Sequence, residues 1–248
     1  MNSFTRNIPP VTLNLLIINC LIWLIGSMIP GFGDTLSRVC GLHYFSSPFF
    51  RFWQPLTYMF LHGGFFHLFF NMFGVLMFGA TIERLFGSKR YLLYYLTVGV
   101  GAALIQEGVY AIYIHNLASE LPAGLTLGMV AEEGARLYSQ GLNWVGEPLG
   151  SLNGFINGST VGASGALMGL LMAFAMFFPN MPLYLMFIPI PIKAKWMVLG
   201  YAVLELFYGV TGLQSGVAHF AHLGGLLAGL LLILYWRKRG EINRGPFY

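Results

Sequence analysis

Charge is what this sequence has least of. Of 248 residues only 9% are Asp, Glu, Lys or Arg, against 56% apolar residues and 22 phenylalanines. So few charges cannot clothe the surface of a soluble globule of this size, which leaves an integral membrane protein. Cysteine is nearly absent: Cys20 and Cys40 form neither a framework of pairs nor a metal-type spacing. The formal charge of +4 bears on membrane topology and implies no nucleic-acid partner.

What the chain has instead is long apolar runs. Those able to cross about 30 Å of hydrocarbon, roughly 20 residues each, fall at 10–29, 67–86, 91–114, 160–178, 195–213 and 217–236. The first is longer than the apolar part of a signal peptide and has no small-x-small cleavage site, so it counts as a span. The expected fold is an all-α polytopic membrane protein of six spans, with residues 1–248 as a single domain, an insertion loop at 115–159 and no soluble domain. Basic residues gather in alternate connections: Arg84, Lys89 and Arg90, then Lys193 and Lys195, then Arg237, Lys238, Arg239 and Arg244. The opposite connections hold Arg38, Arg51 and Arg136, so the positive-inside rule puts both termini in the cytoplasm.

Even-numbered spans then start near the outer surface, and three of those starts carry unusual chemistry. The second opens with HGGFFHLFFN (His62, His67, Asn71), the fourth with GASG around Ser164, the sixth with AHFAHLGG (His219, His222). Polar groups at such depth are costly and usually face a bundle interior or a wet cavity. His67 and Asn71 are four apart and share a helix face. Gly225 with Gly229, and Gly165 with Gly169, have the GxxxG spacing that lets membrane helices approach closely. Such packing would set Ser164 opposite His222. Taken alone, Ser164 reads better as a small packing residue; both histidine motifs together reverse that balance.

With these motifs the chain resembles the rhomboid family of intramembrane serine proteases over nearly its whole length. The resemblance implies a six-transmembrane-helix rhomboid bundle with Ser164 as nucleophile and His222 as general base. It implies His67, Asn71 and the Ser164 backbone N–H as oxyanion donors, and His62 as a support for the first loop. Gly162 and Gly165 belong to the serine motif, and Gly225 and Gly229 match glycines that let the sixth helix approach the fourth. Two positions depart from relatives: Met168 stands where some carry an aromatic ring against the base, and the Trp-Arg pair of the first loop reads Trp53-Gln54, with Arg51 close enough to substitute.

The physics agrees with a dyad. A serine hydroxyl needs a base to become a nucleophile, and the acids on spans are Glu83, Glu107 and Glu205, none at the start of an inward-running helix. Glu83 is expected to cap the cytoplasmic end of span two and meet the basic loop, while Glu107 and Glu205 have no evident partner. His43 is expected at the interface, and Trp53 and Tyr58 in an aromatic belt or, alternatively, in the core. Thr126 can cap a short helix in the insertion, which reads as a lid or as a spacer.

The expected function is endoproteolysis of transmembrane segments near the outer face, without metal or cofactor. The resemblance further implies lateral access between spans two and five, which would place Phe70 and Phe207 at a gate. Short loops point to a bacterial plasma membrane. Two other readings are a non-catalytic client-binding protein, and a metal site or transporter using His62, His67, His219 and His222. The latter would want a carboxylate or thiolate at that depth, and the sequence reading finds none there.

Overall fold

The computed structural model describes residues 7–184, 190–213 and 217–242; Arg244 lies outside them. Helix α1 (Pro10–Met28) starts with proline at its first position, where the missing N–H costs nothing. A short α2 (Phe32–Cys40) and a one-turn α3 (Gln54–Thr57) belong to the first loop. The second span is α4 (Phe65–Gly74), a π-helical turn (Val75–Gly79) and α5 (Ala80–Phe86), continuous over 22 residues. After Gly87, whose φ of 77° suits glycine, comes the 31-residue α6 (Ser88–Ala118). At 1.5 Å per residue it is about 46 Å long and outreaches a bilayer core.

Within the insertion, α7 (Leu127–Ser139) begins at Thr126, whose hydroxyl accepts from the Met129 N–H at 3.3 Å. A second helix, α8 (Leu149–Asn157), was not expected from sequence. The two build a small apolar cluster with Tyr44 and Ile114. Asn157 ties them to the first loop: its carbonyl oxygen accepts from His43 Nδ1 (3.1 Å), its Oδ1 from Ser47 Oγ (2.7 Å), and its Nδ2 donates to the Ala131 carbonyl (3.0 Å). His43 is therefore buried rather than interfacial, and the insertion is docked on the first loop.

Helices α9 (Ser164–Phe177), α10 (Ala194–Thr211) and α11 (His219–Lys238) complete the bundle. Between α9 and α10 an antiparallel hairpin of β1 (Pro182–Tyr184) and β2 (Pro191–Lys193) interrupts the otherwise helical chain. Four of the expected spans, Pro10–Met28, Phe65–Phe86, Ser88–Ala118 and His219–Lys238, are long and apolar enough to cross a membrane. Ser164–Phe177 is apolar but only 14 residues long, and the 18-residue Ala194–Thr211, with Lys195 and Glu205 within it, does not reach the same apolarity. The chain is a multi-pass integral membrane protein.

The core lies where α6, α9 and α11 pack together. Two of its buried tyrosines spend their hydroxyls on helix carbonyls: Tyr94 donates to the Gly169 carbonyl at 2.7 Å and Tyr58 to the Gly99 carbonyl at 2.8 Å. Tyr58, 1% exposed, is thus a core residue and not a belt residue. Glu83 also departs from expectation. Its carboxylate accepts from Val11 N–H (3.0 Å), Thr12 N–H (2.7 Å), the Thr12 hydroxyl (2.8 Å) and the Ser88 hydroxyl (2.6 Å). It serves the unpaired N–H groups at the start of α1, where an anion also meets the positive end of the helix dipole.

Candidate active site

Ser164 is the first residue of α9. Its backbone N–H is among the first of the helix, which lack intrahelical partners and carry the positive end of the dipole. The loop before it is pinned from two sides. Gly162 N–H donates to the Tyr58 carbonyl at 3.0 Å, and Thr160 pairs with Leu42 through two backbone hydrogen bonds of 2.9 and 2.8 Å.

Glycine contacts set the separation of α9 from α11. A Cβ on Gly225 would run into the carbonyl oxygen of Gly165, and one on Gly229 would lie 2.9 Å from the Gly169 Cα. The two GxxxG faces therefore meet, one small residue against the other's backbone. One turn above the Gly165–Gly225 contact, His222 Nε2 lies 2.7 Å from Ser164 Oγ. His222 is 9% exposed, Ser164 half-buried and Met168 packed in the core.

The sequence reading missed the carboxylate on the other side of the ring. Glu205 Oε1 lies 2.9 Å from His222 Nδ1, and its Oε2 lies 2.6 Å from His219 Nδ1. The expectation of a base with no acidic neighbour is thereby corrected, and so is that of a Glu205 without a partner. Glu205 stands six residues before the end of α10, near the end of that helix where α11 begins with His219 and His222. Glu107, the other acid without an evident partner, accepts from the Phe45 N–H at 3.1 Å.

Gln106 is a second residue the sequence did not announce. Fully buried, it accepts from the Ala221 N–H at 3.2 Å in the first turn of α11 and donates to Thr160 Oγ1 at 2.6 Å. One side chain thus holds both the histidine helix and the loop preceding the serine. In the first loop Gln54, not Arg51, is the central anchor: buried, it accepts from the His43 N–H at 3.2 Å and donates to the Phe49 carbonyl at 2.9 Å. Arg51 donates to the Pro48 and Phe50 carbonyls at 3.0 and 2.7 Å.

His67 reaches the same loop from α4. A Cβ on Gly162, whose φ is 135°, would lie 2.8 Å from His67 Nε2 and 3.5 Å from Ser164 Oγ. Asn71, buried one turn along, donates its amide to the His67 carbonyl at 2.8 Å, and its Oδ1 has no partner among the described residues. His62 stands ahead of the helix, its ring 5.1 Å from that of His67. Burial, and then the nearby His67, push its pKa down to about 3. Phe70 and Phe207 are exposed on α4 and α10.

The arrangement has a definite chemical capacity. An ionised carboxylate only accepts, so the Glu205 bond places the His222 proton on Nδ1 and leaves the Nε2 lone pair for the serine O–H. Glu205 does supply a carboxylate at the depth where a histidine metal site would want one. It is engaged in direct bonds to both rings, and among the described residues no three such side chains are grouped to hold a metal ion.

The family model for the Rhomboid domain matches residues 50–239. RHOMBOID-like protein 6, mitochondrial, of Arabidopsis thaliana is 36% identical over 92 residues, 37% of this chain and 28% of that protein. Rhomboid protease GluP of Bacillus subtilis is 40% identical over 52 residues, 21% of this chain and 10% of that protein. Inactive RHOMBOID-like protein 8 of Arabidopsis thaliana is 29% identical over 92 residues, 37% of this chain and 24% of that protein. The matched segments thus span a minor part of these relatives' length.

Proposed function

The chain belongs to the rhomboid family, and on that footing we propose that it is an intramembrane serine endopeptidase that cuts transmembrane segments of other membrane proteins. The observation that carries the proposal is the 2.7 Å approach of Ser164 Oγ to His222 Nε2. His222 takes the serine proton as Oγ adds to the carbonyl carbon of the scissile peptide bond. It then returns that proton to the leaving amine nitrogen as the C–N bond breaks. Water, deprotonated by the same Nε2, releases the acyl group from Oγ. His67, Asn71 and the Ser164 N–H surround the oxyanion; for this, Asn71 exchanges its bond to the His67 carbonyl for one to substrate. Each such donor is worth about 10²–10³ in rate in serine proteases.

We further read α9 and α10 as spans, which makes six and both termini cytoplasmic. With 14 residues α9 is about 21 Å long, some 9 Å short of a typical hydrocarbon core, so Ser164 lies recessed below the outer surface. Substrates are then segments whose helix opens near that face, at small or helix-breaking residues. The membrane is that of a bacterial cell, and an organellar one is the alternative, in line with the mitochondrial relative.

A non-catalytic, client-binding role is the second reading, and similarity to an inactive relative favours it. The test is cleavage of a model transmembrane substrate by protein reconstituted in proteoliposomes. The protease reading expects cleavage by wild type, none by Ser164→Ala or His222→Ala, and no effect of chelators. Binding without cleavage by wild type would favour the second reading. Loss of cleavage on chelation would favour a metal site.

A further inference from the structure

We propose that Glu205 is a positioning residue for the reacting pair: it holds His222 with the proton on Nδ1 and the Nε2 lone pair turned to Ser164, and His219 holds Glu205 in turn. The proposal rests on the protease reading for its catalytic consequence. Its structural content, the state of the His222 ring, can be read without any substrate.

The location of Glu205 is the first argument. Helix α10 is otherwise a peripheral helix: Trp196, Leu199, Val203, Leu204, Leu206 and Phe207 are each more than half exposed, and only Ala194, Val198 and Glu205 are buried. An apolar side chain would fasten such a helix to the bundle at far less cost than a carboxylate. Among the described residues this carboxylate pairs with neither Lys nor Arg. Its two oxygens are divided between two imidazoles on α11, at 2.9 Å from His222 Nδ1 and 2.6 Å from His219 Nδ1.

The second argument is the proton inventory. Both Nδ1 atoms must carry hydrogen to donate to an ionised carboxylate. In a neutral ring that leaves Nε2 as acceptor, and in His222 this is the atom 2.7 Å from the serine oxygen. Without an acceptor at Nδ1 the ring is free to protonate Nε2 instead, and that tautomer cannot take the serine proton. As the Oγ–H bond breaks and the Oγ–C bond forms, the proton moves to Nε2 and His222 becomes a cation, stabilised by the adjacent anion. Nε2 then yields the proton to the amine nitrogen while C–N breaks. Glu205 neither gains nor loses a proton, the same division of labour as in Ser-His-Asp enzymes.

Among the described residues, these groups face the unit. Ser164 comes from α9, Glu205 from α10, and His219 shares α11 with His222. His67 lies across the site on α4, with His62 behind it, and Tyr208 of α10 stacks on His219 at 5.6 Å between ring centroids. Among them Glu205 is the anion whose removal acts on the His222 proton directly.

The test uses full-length protein labelled with ¹⁵N-histidine in lipid bilayers. Nitrogen chemical shifts of wild-type His222 are expected to show Nδ1–H and an unprotonated Nε2. In Glu205→Gln a carboxamide offers one acceptor to two rings, so the Nε2–H form of His222 is expected to appear. In the same variant kcat is expected to fall by about 10²–10⁴-fold, with KM changed less than ~3-fold because substrate is not touched. A glutamine variant with wild-type kcat and His222 still held in the Nδ1–H form would overturn the proposal. So would a wild-type His222 protonated on Nε2, which decides the matter even if the variant fails to fold. Wild type with the Nδ1–H ring but no proteolysis would defeat the protease reading and leave the positioning role standing.

Discussion

Replacing Gly225 by alanine should disable the site from below without touching it. The added Cβ meets the carbonyl oxygen of Gly165, with Met168 Cβ 3.2 Å away. Backbone cannot give as a side-chain tip can, so α9 and α11 must part by on the order of 1 Å to restore ordinary contact distance. The Ser164–His222 separation, now 2.7 Å, would then approach about 3.7 Å, beyond any useful hydrogen bond. A displacement of about 1 Å in a reacting geometry can cost ~10² in rate, and overpacking of a tight contact costs about 1–3 kcal/mol of stability. The assay is kcat on a transmembrane substrate beside thermal unfolding in the same detergent. Gly108→Ala, on α6 where an added Cβ meets nothing within 4 Å, is the control and should leave both unchanged. Gly225→Ala with control-like kcat would refute the claim that glycine contact sets the serine–histidine distance.

Asn71→Ala should lower kcat by about 10²–10³ with little change in KM, as steady-state kinetics would show; equal losses in both parameters would point to misfolding instead. Glu83→Ala strips the acceptor from the Val11 and Thr12 N–H groups and the Thr12 hydroxyl at the start of α1, and from the Ser88 hydroxyl at the start of α6. Counting only the two backbone N–H groups, which unlike hydroxyls cannot turn to another acceptor, at ~1–3 kcal/mol each, a loss of about 2–6 kcal/mol is expected in chemical unfolding, while the folded fraction keeps its kcat. His62, outside the spans, has its pKa lowered to about 3 from an unfolded value near ~6.5. Only the unfolded chain takes up its proton as pH falls from about 6.5 to 3, so stability declines through that window by at most ~1.4 kcal/mol per unit. His62→Phe should flatten this part of the unfolding profile, and an unchanged slope would show that the ring is solvated.

The places of four membrane helices were legible because apolar runs are long and hydrocarbon thickness is fixed, although α6 runs on to 31 residues where 91–114 was expected. The meeting of Ser164 with His222 was legible for a different reason: chain parity and two glycine spacings bring the starts of α9 and α11 to one level. The same parity argument hid Glu205, because it was applied only to the starts of the expected even spans, whereas Glu205 lies toward the end of an expected odd one, about 9 Å from the end of α10 at 1.5 Å per residue. Gln106 and Gln54 left no periodic signal; a lone buried amide is identified only by the backbone groups it meets. The insertion helix α8 was obscured by its glycines and asparagines, and Asn157 makes sense only with Ser47 and His43 beside it.

The activation of Ser164 can be probed without knowing a substrate. Protein in native-like bilayers is treated with a fluorophosphonate, and the modified residue is located by mass spectrometry. A covalent adduct on Ser164 in wild type, lost in His222→Ala and retained in Lys195→Ala, is the expected result. An unlabelled Ser164 in folded wild type, or equal labelling after His222 is removed, would contradict an activated serine and with it the proteolytic function.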